Sequence, residues 1–145
     1  MDYTIDRSNA VKQALIGGIA ATVVMTIFTY MAPLMGMPEM NPPEMLSGML
    51  GVPIAIGWVM HFMIGVVFAL SYAFLFLNLF HKIESKWIRG ILFGIAVFIF
   101  AQIMMLIMGA LMGGMAAPEG NMMLMMIGSL IGHIVYGIVV ALIVK

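Results

Sequence analysis

Two histidines stand inside long apolar runs of this chain. His61 lies in Gly57-Trp-Val-Met-His61-Phe-Met-Ile-Gly65, and the ten residues His61-Phe-Met-Ile-Gly65-Val-Val-Phe-Ala69-Leu70 align without gaps to His133-Ile-Val-Tyr-Gly137-Ile-Val-Val-Ala141-Leu142 at an offset of 72. An imidazole in such a run can do three things. It can hydrogen-bond a neighbouring helix, with Thr26, Gln102, Ser129, Tyr136 or a carbonyl as partner. It can be an axial ligand of a b-type haem, or it can join methionine thioethers in holding copper as Cu(I). An ionisable side chain within a membrane span is a candidate functional residue from the outset, and a second at matched depth strengthens the case. His81 differs, because it belongs to the charged stretch FHKIESKWIRG and is expected to be solvated.

A second correspondence extends the pattern. Gly18-Ile19-Ala20 matches Gly94-Ile95-Ala96 at an offset of 76, which sets Thr26 opposite Gln102. Thr26, His61, Gln102 and His133 then form a single polar layer, one side chain from each apolar segment. Facing lipid, each would leave donors and acceptors unpaired at a cost of several kcal/mol, so all four are expected to point inward.

The methionines are the other chemical resource. Of 19, eight fall between Met31 and Met63 and nine between Met104 and Met126. Met31, Met35, Met37 and Met40, with Met122, Met123, Met125 and Met126, cluster near two chain reversals, beside Glu39 and Glu44. Thioethers are soft ligands suited to Cu(I), and carboxylates beside them would help to line an access path. The alternative is that methionine serves as an adaptable apolar filler or a partner-binding surface. No fixed spacing selects one ligand trio.

These groups must be carried by membrane helices. Hydrophobic residues make up 64% of the 145 and charged residues 8%, against about a quarter charged in soluble proteins. Segments 13–35, 54–80, 88–112 and 122–144 each reach the roughly 20 residues a helix needs to cross the hydrocarbon core. The expectation is an all-α integral membrane protein, a single domain over residues 1–145. Arg7 and Lys12 precede an apolar run that continues to Met35 without a small-x-small cleavage pattern, so it is taken as a retained span rather than a signal peptide. The two offsets divide the chain into tandem helical hairpins, about 13–80 and 88–144, related by a pseudo-two-fold axis along the membrane normal. Small residues at four-residue spacing, in Gly65/Ala69, Gly90/Gly94, Gly109/Gly113, Gly128/Gly132 and Gly137/Ala141, mark faces for close helix packing.

All six Lys and Arg fall on one side of this layout. The positive-inside rule makes that side cytoplasmic, with both termini in and loops 36–53 and 113–121 outside. Tyr30 and Trp58 suit an outer aromatic belt and Trp87 an inner one. Within the first outer loop, Asn41, Pro42 and Glu44 predict a capped short helix ended by Gly48 and Gly51, and Pro53 starts the next span.

Several function classes drop out. With no cysteine, thiolate metal sites and cysteine nucleophiles are excluded. Zero net charge and no basic patch argue against a nucleic-acid partner. The spans carry no acid to orient a histidine, and neither Gly-x-Ser-x-Gly nor His-Glu-x-x-His occurs, so an enzyme is the least favoured class.

The stretch MGMPEMNPPEMLSGMLGVPIAIGWVMHFMIGVVFALSYA resembles a family of small four-helix bacterial membrane proteins known as a domain of unknown function. The likeness rests on the Pro- and Met-bearing loop, the Met-Leu-x-Gly-Met-Leu-Gly turn and Gly-Trp-x-Met-His-Phe-x-Ile-Gly, and it spans the chain. It implies a bacterial inner-membrane location and brings no catalytic residues. The leading expectation is a non-enzymatic protein without a cofactor, acting through helix contacts in a larger membrane complex or a homo-oligomer. Copper binding or passage, using the methionines with His61 and His133, is the second reading; haem b on the two histidines is the third.

Overall fold

A computed structural model describes residues 7–111 and 120–145. The elements are α1 (Arg7–Met31), a 3-10 turn (Ala32–Met35), α2 (Pro42–Leu50), α3 (Ile54–Ser71), a π-helical turn (Tyr72–Phe76), α4 (Leu77–Leu79), α5 (Lys86–Leu111) and α6 (Met122–Ile143). Four stretches, Arg7–Met35, Ile54–Leu79, Lys86–Leu111 and Met122–Ile143, are long and apolar enough to cross a membrane. They match the four expected segments to within a few residues at most ends. This is an all-α, multi-pass membrane protein of the lipid bilayer. Gly113 and most of the expected loop 113–121 lie outside the described residues.

The short helix forms where the turn residues predict it. Asn41 Oδ1 accepts from the Glu44 N–H at 3.3 Å, Pro42 takes the first position, and Gly51 closes α2 at φ 63°. Asn121 caps α6 in the same manner, its Oδ1 accepting from Met123 N at 3.0 Å and Leu124 N at 3.2 Å. Gly48 sits in the interior of α2 with open space where a Cβ would go. Gly48→Ala is therefore expected to stabilise the protein by about 0.5–1 kcal/mol, measurable as a higher melting temperature in detergent.

Helix pairs meet through glycine. Lipid tails are as apolar as the side chains, so association depends on close packing rather than on exclusion of water. α1 packs on α3 and α6, α5 packs on α6, and α2 covers the start of α3. A Cβ on Gly18 would come 2.7 Å from Val66 Cα, and one on Gly65 would run into the Thr22 hydroxyl. On the other side, a Cβ on Gly94 would lie 2.6 Å from Ile134 Cα, while Gly137 faces Gly90 and Gly94. Gly57 lies under the Pro43 carbonyl and seats α2.

The two ends of the bundle differ. Lys145 N donates to Gln13 Oε1 at 2.7 Å, so the end of α6 meets the start of α1 at a basic end. At the opposite, methionine-rich end, Tyr30 and Trp58 stack with centroids 6.5 Å apart. Along the remaining side, α3 and α5 make little backbone contact. Rings bridge them instead: Phe68 with Phe100 at 5.5 Å, Tyr72 with Phe93 at 4.9 Å and Phe76 with Phe93 at 4.8 Å. The π-helical turn, in which Leu77 N–H reaches back to Tyr72 O, buries Tyr72 and Ala73 in this cluster. The rings occupy the basic half, leaving a pocket of about 480 Å³ beside Phe68, Phe76, Phe93 and Phe100, and the methionine half opens more widely between the helices.

Candidate functional site

The open half holds a half-open chamber of about 1000 Å³ between the helices. Each helix contributes one face to it, since residues three and four apart share a side of a helix. From α1 come Thr22, Met25 and Thr29, and from α3 His61, Ile64, Gly65 and Phe68. Met122, Met125, Met126, Ser129, His133 and Tyr136 form the wall of α6. Across from them α5 presents Val97, Ala101, Gln102, Met105 and Gly109, while Met40, Met45 and Met49 close the end near α2.

Hydrogen bonding fixes how each histidine presents itself. Thr26 has one hydroxyl proton, which goes to Thr22 O at 2.7 Å. The 3.0 Å contact between Thr26 Oγ1 and His61 Nε2 is then donated by the imidazole. The neutral His61 ring therefore carries its proton on Nε2 and a lone pair on Nδ1. His133 is arranged the other way round. Its Nδ1 donates to the Ser129 carbonyl at 2.7 Å, leaving the lone pair on Nε2. Neither free nitrogen has a protein partner among the described residues, and both rings line the same chamber. Aromatic edges hold the rings: Trp58 and Phe62 around His61, at 6.4 and 6.0 Å, and Phe98 at 5.8 Å from His133.

Of the expected polar layer, His61, His133 and Gln102 line the chamber, and Thr26 stands behind His61 as its acceptor. Gln102 makes no hydrogen bond to a described residue. Tyr136, considered as a histidine partner, instead donates to the Gly65 carbonyl and ties α6 to α3. Ser129 holds His133 mainly through its backbone.

The candidate metal ligands divide. Met40, Met122, Met125 and Met126 line the chamber. Met37 packs with Met40 over Gly128, its Sδ 3.2 Å from where a Cβ would be. Met31, Met35, Met123, Glu39 and Glu44 are exposed and stand outside the chamber. Four lining methionines were not singled out by their sequence position: Met25, Met45, Met49 and Met105. For Met25 the available signal was its place three residues after Thr22 on the inward face of α1. Among the packing glycines, Gly65, Gly90, Gly94, Gly128, Gly132 and Gly137 are buried at contacts, and Gly109 lines the chamber.

Among the described residues no three His, Cys, Asp or Glu side chains form a cluster that could hold a metal. The donors gathered here are instead neutral and mostly soft: two imidazole nitrogens, an amide and thioethers. A family profile described as a family of unknown function, DUF6789, matches residues 8–145. The chain belongs to DUF6789. No curated protein and no solved structure matches it. The DUF6789 match spans all four membrane helices and both chamber histidines, and it assigns no residue a role.

Proposed function

We propose that this protein is a non-enzymatic membrane protein that holds a small guest inside its bundle, in the methionine-walled chamber. The observation that carries this reading is the pair of imidazoles, one from each half of the chain, that line one chamber with a ring nitrogen left over on each. Two tandem hairpins belong to the same reading. Gly18 meets Val66 and the Gly65 carbonyl as Gly90 meets Ile138 and the Gly137 carbonyl, and Thr22 meets Gly65 as Gly94 meets Gly137. All these pairs stand at the one offset of 72, not the 76 expected for the first helix, so Phe98 rather than Gln102 falls opposite Thr26. The charge asymmetry supports a topology with the basic end and both termini in the cytoplasm, and the family resemblance supports a bacterial inner membrane.

The charge distribution argues against haem b as the guest. The chamber lies at the methionine end, whose loop between α1 and α3 carries only Glu39 and Glu44 as charged residues. Haem propionates there would meet acids rather than Lys or Arg. Service as an accessory subunit is the second reading, favoured by the loosely joined α3–α5 side with Ile99, Ile103 and Leu106 exposed.

Absorbance spectra and elemental analysis of protein purified without added metal test the guest reading. Wild type is expected to carry a species that the double variant His61→Ala/His133→Ala lacks at equal monodispersity. A colourless, metal-free and lipid-free wild type that co-purifies with stoichiometric partners would favour the subunit reading instead.

A further inference from the structure

We infer that the chamber is a site for a soft monovalent cation, Cu(I) or its analogue Ag(I), with His61 Nδ1, His133 Nε2 and the thioether of Met25 as ligands. The inference rests on the guest-binding reading above and names the guest. Both nitrogens are lone-pair donors in the tautomers that Thr26 and the Ser129 carbonyl impose. Partners of this kind hold a ligating ring in its tautomer and orientation.

Met25 is the buried methionine best placed to join them. Its side chain lies over Gly132, the residue preceding His133, with Cε and Cγ 3.7 Å from where a glycine Cβ would be. It lines the chamber on α1, one residue before the Thr26 that holds His61. A methyl group at 132 would be in ordinary contact with that side chain, so only a residue larger than alanine would compete for its space.

Charge selects the ion. Imidazole and thioether are neutral, and among the described residues no carboxylate lines the chamber. The Born cost of burying an ion rises with the square of its charge, so a divalent ion would cost about four times as much as a monovalent one with nothing to offset it. Soft sulfur and nitrogen donors also favour Cu(I) over the harder divalent metals. Glu39 and Glu44, exposed at the same end, attract cations toward the opening without entering the ligand set.

Ag(I) is the first probe, because it is redox-inert, followed by Cu(I) under anaerobic competition with a chromogenic chelator. Detergent-purified wild type is expected to take up one equivalent, with Zn(II) failing to compete. X-ray absorption on the loaded wild type is expected to show imidazole nitrogen beside sulfur. The double variant His61→Ala/His133→Ala loses the equivalent, and Thr26→Val weakens binding by about 10–100-fold, as removal of an outer partner does. Met25→Leu is expected to weaken it at least as much, and Met123→Leu, on the exposed face, to leave it unchanged. Full binding in the double variant, equal uptake of Zn(II), or a spectrum without imidazole would overturn the inference whether or not the variants fold well. Failure of wild type to bind either ion, with another guest present and lost in the double variant, would overturn the inference and leave the guest-binding reading standing. An empty wild type that binds neither ion would remove both.

Discussion

Gly137→Ala is expected to be among the most damaging single-methyl additions in the protein. The added Cβ would lie 2.5 Å from Gly94 N and 2.8 Å from Gly94 Cα, and would also strike the Gly90 carbonyl. Those atoms are backbone of a continuous helix and cannot rotate aside as a side chain would. The α5–α6 pair must separate, and it loses the dispersion contacts on which association in lipid depends. Overpacking of this kind costs about 1–3 kcal/mol, and the upper part of that range is expected here. Thermal unfolding in detergent would read it as a clearly lower midpoint, with Gly48→Ala as the opposite control. An unchanged midpoint would mean that α5 and α6 do not cross at these glycines. The movement would also displace His133, whose carbonyl lies against Gly94, so the chamber should change along with stability.

Phe93→Ala is the second large effect, by the opposite route. Phe93 is fully buried and touches the rings of Tyr72, Phe76 and Tyr136, with centroids at 4.9, 4.8 and 6.3 Å. In water-soluble cores a Phe→Ala change costs about 3–5 kcal/mol, part of it for returning apolar surface to water. A span that stays in lipid when the bundle loosens recovers that part, so the loss is expected near the lower end. Phe93→Leu, which fills most of the space, should cost much less. The functional consequence is separate from stability. Phe68 and Tyr136 line the chamber, while Phe93 packs on Tyr136 and lines a second pocket of about 480 Å³ with Phe68, Phe76 and Phe100. Without Phe93 the chamber is expected to open toward that pocket. Faster release of a bound guest from Phe93→Ala than from Phe93→Leu, at equal monodispersity, is the expected result.

The four spans were legible because hydropathy and length decide them without regard to which side faces inward. So was the cap of α2, where Asn41, Pro42 and Gly51 act locally. The glycine contacts were foreshadowed by four-residue spacing, though Gly18, in the stripe Ala10/Ala14/Gly18, was not singled out, and Gly57 lies in no such stripe. What could not be read was the chamber. All sides of these helices are apolar, so composition does not mark the inward face. Consecutive methionines therefore looked alike, although Met122, Met125 and Met126 line the chamber and Met123 does not. Met31 and Met35 follow a regular spacing yet stand exposed. Met25, isolated from both clusters in sequence, reaches the chamber through its packing beside Gly132, a contact between helices. Thr26 was placed in the polar layer, but its role as the acceptor that sets the tautomer of His61 depends on a contact between helices.

The π-helical turn at Tyr72–Phe76 bears on how this family is compared. A turn of this kind holds one residue more than an α-helical turn, and each residue of an α-helix advances it by about 100°. A relative with one residue fewer here would have a straightened span rather than a shorter loop. Its alignment gap would record a rotation of Leu77–Leu79 relative to His61, and a phylogeny that discarded gapped columns would discard that record of divergence.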